Sequence, residues 1–407
     1  MSKTIKQGNQ KIYDGYKSFQ YLEPGIDYKE FKLSKENDRV EPYTYPVSET
    51  QEETVQQILE EDYIISMHEH TFVMPEKLEE FYEFRHHGRD WTGFEALSQS
   101  GLDVIFENFM DGTAMITSKA GWKWSDVIHD IGIRFSDIAH QDMVIKAERI
   151  SDLYRAKKER KIAFVGALES CTMIENELDR LDILYGFGIR TMGVVYSEAN
   201  QLGSGLREPN DGGLTVFGKQ AVRRMNQLGI TIDVSHAGDK TSLDTIEASE
   251  KPVTINHAGA RALWDTKRLK PDDVIKACAE KGGVIAIEAA PHTTITPNNL
   301  THSIESYMEH FEYVANLVGI DHVAFGPDTL FGDHVGIHDL LSGQLSIKSS
   351  HGANSYPKVE YVKGLENPAE CFPNIIRWLV KKGYSREDIR KVAGANILRV
   401  LEATWAK

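Results

Sequence analysis

Residues 62–70 read DYIISMHEH. Ile64, Ile65 and Met67 form a short apolar run, and His68 and His70 come directly after it. Side chains alternate faces along a strand, so two histidines two positions apart point the same way. A buried strand ending in two like-facing imidazoles can bind one ion between them.

Seven more runs of this kind follow: DVIFENF (103–109), IAFVGALE (162–169), TMGVVYS (191–197), TIDVSH (231–236), PVTINH (252–257), GVIAIEA (283–289) and HVAFGPD (322–328). Several are apolar without alternation, as expected of parallel strands covered by helices outside and packed inside a barrel. Helical patterns separate them: one long stretch over 124–159, then LTVFGKQAVRRMNQLG (214–229), KPDDVIKACAEKGG (270–283) and IESYMEHFEYVANLVG (304–319). Two more helices close the chain, around 374–383 and 385–403, the second with Ser385 and Asp388 spaced as a cap. Eight strand and helix alternations specify an α/β fold, a (β/α)8 TIM barrel with an N-terminal extension and C-terminal helices. An open doubly wound sheet would need a glycine-rich loop after its first strand, and MHEHTFVMPE (67–76) is not one. Residues 1–60, rich in Lys, Glu, Tyr, Pro and Gln, read as an irregular arm or lid on the barrel domain of 61–407.

The formal net charge of −15 argues against nucleic acid, whose binding needs clustered Lys and Arg. No apolar run is long enough for a bilayer, and no basic segment followed by an apolar one opens the sequence, so no membrane is expected and a cytoplasmic location follows. Cys171, Cys278 and Cys371 have no paired spacing and read as reduced, buried thiols.

The active site of such a barrel lies at the carboxyl ends of its strands. There the runs end on His68 and His70, Glu169, Tyr196, His236, His257 and Asp328. Imidazole and carboxylate are ligands that zinc takes at about 2.0–2.2 Å. Glu169 is placed to bridge two ions, with His68 and His70 on one and His236 and His257 on the other. Asp328 would orient a water, take its proton and pass it to the leaving group. A lone histidine is more often structural, and His86, His87, His292, His302, His334 and His338, in loop-like or helical segments, read as surface residues.

With these residues in place, the chain resembles the membrane dipeptidase (renal dipeptidase) family of binuclear zinc peptidases over about 60–405. The carrying segments are IDVSHAGDKTSLDTIEASEKPVTINHAGARAL (232–263), RLKPDDVIKACAEKGGVIAI (268–287), VAFGPD (323–328) and GLENPAECFPNIIRWLVKKGYSREDIRKVAGANILRVLE (364–402). The resemblance implies His68 as a ligand of one zinc, His236 and His257 as ligands of the other, Glu169 as the bridge and Asp328 as the acid/base. It also implies that Arg268, which by itself reads as a solvated surface residue, pairs with the substrate's free carboxylate. Family members are often dimers, so a homodimer is implied too. Two positions depart from the pattern: His70 stands where the family usually has Asp, and Tyr196 where it commonly has a substrate-binding His. A phenol still donates a hydrogen bond to a carbonyl or oxyanion, but it carries no positive charge at pH 7.

The expected function is hydrolysis of an amide bond next to a free carboxylate, in a dipeptide or N-acyl amino acid, with two divalent ions, zinc before manganese or cobalt. The rivals are a lactonase or phosphotriesterase-like enzyme working on an ester with the same metal pair, and a catalytically silent metal-binding barrel.

Overall fold

The computed structural model describes residues 8–109, 122–291, 293–342 and 357–405. Nine strands run parallel: β1 (Ile65–Glu69), β2 (Val104–Asn108), β3 (Val144–Lys146), β4 (Ile162–Leu168), β5 (Ile189–Gly193), β6 (Thr231–Asp233), β7 (Val253–Ala258), β8 (Ile285–Ile287) and β9 (Val323–Phe325). Eight of them follow one another in the order β1-β2-β4-β5-β6-β7-β8-β9. The ring is drawn shut beyond β9, where Asp328 N–H donates to the His68 carbonyl at 3.0 Å and His70 N–H to the Thr329 carbonyl at 2.9 Å. All eight runs read as barrel strands are strands of this sheet, and the fold is the parallel barrel the alternation specified.

The long helix read over 124–159 is a correction. Two helices, Trp124–Ile138 and Ile150–Lys158, flank β3 instead. Gln141 breaks the helix: its side-chain amide donates to the carbonyls of Ile138 (2.6 Å) and Val144 (2.7 Å), and its oxygen accepts from Val144 N–H (2.7 Å). The β-branched pair Val144 and Ile145 then extends along the start of β4, pairing Val144 with Ile162 and Lys146 with Phe164, while β5 pairs with β4 from Gly166 onward.

The last helices seal the amino end of the barrel. Asn396 Nδ2 donates to the Val323 carbonyl at 2.9 Å, Arg399 to the Gly282 carbonyl at 2.7 Å, and Thr404 and Trp405 bond to Thr231 Oγ1. Ile397, Val400, Leu401 and Trp405 pack in one buried cluster with Ile65, Met67, Val104, Phe106, Ala286 and Ala324. Ser385 caps the helical segment before them, its hydroxyl accepting from Asp388 N–H at 3.1 Å. With that end covered, the carboxyl ends remain for chemistry.

Within 1–60, a helix spans Glu49–Glu61 and the described residues before it run over the barrel without regular structure. Lys11 Nζ and Asn9 Nδ2 bond to Asp103 Oδ1 (2.7 and 2.8 Å), just before β2. Ser18 and the Phe19 amide bond to Asp137, Ser34 N–H to the Met74 carbonyl, and Arg39 pairs with Glu366. The arm therefore climbs from the amino end of the barrel to the segments beyond β1 and β9.

Candidate metal centre

Close approach of strand ends builds the site. A Cβ on Gly193, which ends β5, would collide with the Glu169 carbonyl, and one on Gly326, after β9, with the Asn256 carbonyl beside His68. Glycine at these two positions lets neighbouring strands converge where their last side chains turn inward. His68, His70, Glu169, His236, His257 and Asp328 are all buried there.

Glu169 stands at the centre with its two oxygens divided. Oε1 lies 3.6 Å from His70 Nε2 and 3.9 Å from His68 Nε2, while Oε2 lies 3.1 Å from His236 Nε2 and 3.8 Å from His257 Nε2. Asp328 Oδ1 is 3.4 Å from His68 Nε2 and 3.3 Å from His70 Nε2. The ligating atoms form three groups that could each hold a cation: His68, His70 and Glu169; His68, His257 and Asp328; and Glu169, His236 and His257.

The outer partners aim these groups. His70 Nδ1 bonds the Asn108 carbonyl at 2.7 Å, which turns Nε2 inward. Ser235 Oγ accepts from His257 N–H at 3.1 Å and donates to Asp233 at 2.6 Å. Glu69, between His68 and His70 at the end of β1, accepts from Thr329 N–H and Oγ1, both at 2.8 Å, and so ties β1 to the residue after Asp328.

Burial opposes charge on every group here, and the neighbours decide the outcome. Burial acts to raise Glu169, but the His236 hydrogen bond and the charge of His68 hold it below the usual carboxylate range. Asp328 is held well below it, burial being outweighed by His68 and His70. Burial would lower His70, yet its bond to Asp328 and the Glu169 charge lift it to about 9. His236 is brought down to about 4 and His257 well below its ordinary value, chiefly by burial. Neutral imidazoles are what a metal needs, so the second pair is ready as it stands. Both ring nitrogens of His68 and the Nδ1 atoms of His236 and His257 have no hydrogen bond. The Nε2 atoms of His68, His70, His236 and His257 converge on a divided carboxylate, that of His68 buried without a hydrogen bond, and this donor set fits divalent cations with N and O ligands.

The profile of the family described as "Membrane dipeptidase (Peptidase family M19)" matches residues 131–342 and 354–406. The chain belongs to the membrane dipeptidase family. Among its relatives, Dipeptidase tcpJ of Claviceps purpurea is 27% identical over 291 residues, covering 68% of this chain and 62% of that protein, so the chain spans about three fifths of that relative's length. An amidohydrolase from Pseudomonas aeruginosa has the same fold, with a TM-score of 0.69 and 24% identity over 87% of this chain and 99% of its own. So does a metallo peptidase from Rhodobacter sphaeroides liganded with a phosphinate mimic of L-Ala-D-Ala, with a TM-score of 0.65 and 17% identity over 84% and 99%.

The two positions expected to depart from the family pattern, His70 and Tyr196, both lie against the centre. His70 faces it through Nε2, in line with Glu169 and Asp328. Tyr196 stacks on His236, ring centroids 4.0 Å apart, and joins a buried apolar cluster with Phe72, Met74, Phe81, Leu330 and Ile337. Burial raises its phenol well above the ordinary value, so it stays a neutral donor. Arg268 is buried rather than solvated: Nη1 donates to the His257 carbonyl at 3.1 Å and Nη2 pairs with Glu288.

Sequence reasoning passed over Glu288, last but one in the seventh run, where the strand-end rule that found Glu169 and Tyr196 applies equally. Three histidines read as surface residues need correction. His302 is buried and bonds Thr294 Oγ1 at 2.8 Å, His334 is fully buried, and His338 is half-buried with its Nδ1 enclosed. His86 and His87 are exposed, and His292 lies outside the described residues. All three cysteines are free and buried, and burial pushes the Cys171 thiol up to about 12, which leaves it inert as a nucleophile.

Proposed function

We propose that the protein is a metal-dependent hydrolase of dipeptides or N-acyl amino acids, cleaving the amide bond next to a free carboxylate, with zinc as the pair of ions. The carrying observation is the division of Glu169, one oxygen toward His68 and His70 and the other toward His236 and His257. Bound there, two divalent cations supply Lewis-acid polarisation and lower the pKa of water toward neutrality.

The chain's own groups account for the rest. Asp328, kept ionised by His68 and His70, accepts the proton as water adds to the carbonyl carbon. It returns that proton to the amide nitrogen as the C–N bond breaks, leaving a free amine and a carboxylate. Arg268, fixed by the His257 carbonyl and Glu288, offers its remaining N–H groups to the substrate carboxylate. Tyr196 offers a neutral phenol beside His236. The family's activity and the buried donor set support this reading.

The test is elemental analysis of purified protein, then dipeptide hydrolysis with L and D residues at the C-terminal position, before and after chelation. Two ions per chain, and activity lost on chelation and regained with zinc, are expected. Unchanged hydrolysis by metal-free protein would end the proposal.

A further inference from the structure

The helix His334–Ser342 follows β9 and brings two histidines, one turn apart, to the mouth of the barrel. Its attachment is apolar: Ile337 is buried in the cluster that contains Tyr196, Phe72, Met74, Phe81 and Leu330. Tyr196 in that cluster lies flat on His236, so the helix is fixed to the wall of the metal centre itself.

His338 is the next residue after Ile337. The cluster that holds Ile337 takes Phe72 and Met74 from beyond β1, Tyr196 from beyond β5 and Leu330 from beyond β9, so the helix lies across the carboxyl ends of those strands. His338 is half-buried beside that anchor, and the charges of Asp328, His70, Arg268 and Glu169 act on its ring. Its Nδ1 is buried and has no hydrogen bond, and the His334 ring stands edge-on to it at 5.9 Å. A desolvated nitrogen without a partner costs stability in the free protein, so such atoms need a reason. At the same time the Tyr196 ring is taken up in packing, stacked on His236 and clustered with Ile337.

We propose that His338 is a substrate-contacting residue, its imidazole reaching across the mouth from the helix after β9 to hydrogen-bond the carbonyl oxygen of the scissile amide and the oxyanion that develops there. The barrel then takes its substrate-side imidazole from an element other than the strand end at Tyr196. His334, one turn earlier and fully buried, is a positioning residue that backs the His338 ring. This assignment rests on the hydrolase reading above.

The experiment compares wild type, His338→Ala and His338→Gln for kcat and KM on the best dipeptide, for metal per chain, and for binding of a phosphinate dipeptide mimic by calorimetry. Expected are a loss of about 30-fold or more in kcat/KM for His338→Ala, partial recovery in His338→Gln, weaker phosphinate binding in step with activity, and metal content equal to wild type. Active wild type with His338→Ala within twofold of it overturns the assignment of His338 alone. Loss of metal together with activity in both variants also overturns it, since His338 would then support the centre and not the substrate. Wild type that hydrolyses no dipeptide and binds no phosphinate overturns the hydrolase reading and this assignment together.

Discussion

Asp328 adopts the left-handed backbone conformation, φ 62°, and from it sets Oδ1 3.3 Å from His70 Nε2. The segments carrying the two residues are bonded to each other, Asp328 N–H to the His68 carbonyl and His70 N–H to the Thr329 carbonyl. The acid and the imidazole are therefore positioned by one backbone pairing rather than by two independent loops.

That backbone discriminates between substitutions. Asparagine tolerates the left-handed region about as well as aspartate, whereas alanine lacks the short polar side chain whose local hydrogen bonds offset the Cβ strain there. Asp328→Asn should fold with wild-type stability, keep its ions and lose about 10²–10⁴-fold in kcat. Asp328→Ala should lose activity and roughly 1 kcal/mol of stability as well. Paired denaturant melts and rates check this, and an unchanged rate in Asp328→Asn would remove the residue from the proton path.

Glu169→Gln keeps the shape of the bridge and removes its charge. The four imidazoles around it would then share no carboxylate, and the expected result is fewer than two ions per chain and a rate lower by about 10³-fold or more. Elemental analysis across a series of zinc concentrations reads it directly.

Asp103 carries a different burden. Fully buried, it takes Lys11 and Asn9 on one oxygen and Lys157 and the Ile64 amide on the other. Asp103→Asn strands two lysines without a countercharge and should cost roughly 3–5 kcal/mol. Because Lys11 and Asn9 belong to the arm, limited proteolysis should cut before residue 48 faster in this variant. Equal cleavage would mean the arm is held elsewhere.

Glu370 tests the sign of a pH effect. Burial lifts its carboxyl to about 7 from an unfolded value near 4.5, so between these two values the folded protein binds more protons than the unfolded chain. Stability from this group is present below pH 4.5 and is lost as pH rises through 7. Glu370→Gln should therefore raise Tm by roughly 2 °C at pH 8 and leave it unchanged at pH 4.5. Calorimetry at the two pH values settles it.

The barrel was legible because each strand carries its own pattern. Runs such as IAFVGALE and PVTINH are apolar along their length, and the position after such a run is the site by geometry alone. β3 escaped notice because Val144 and Ile145 also fit a helical period, and only the side chain of Gln141, bonded to three backbone groups, ends the helix before them. His334 and His338 were misread for a related reason. Nothing local distinguishes a histidine on a solvent face from one turned onto a barrel mouth; the difference lies in where Ile337 docks, some 140 residues from Tyr196. The burial of Arg268 has the same origin, since its partner Glu288 comes from the next strand.

The arm comes before nearly all of its anchors along the polypeptide. Lys11 waits for a partner 92 residues on, Phe19 for one 118 on, Arg39 for one 327 on and Tyr45 for one 329 on. Made ahead of the barrel, these residues have nothing to rest on until β2 is in place and the closing helices have been made. Assembly of this chain should thus end with the segment before residue 48, laced over a body already formed.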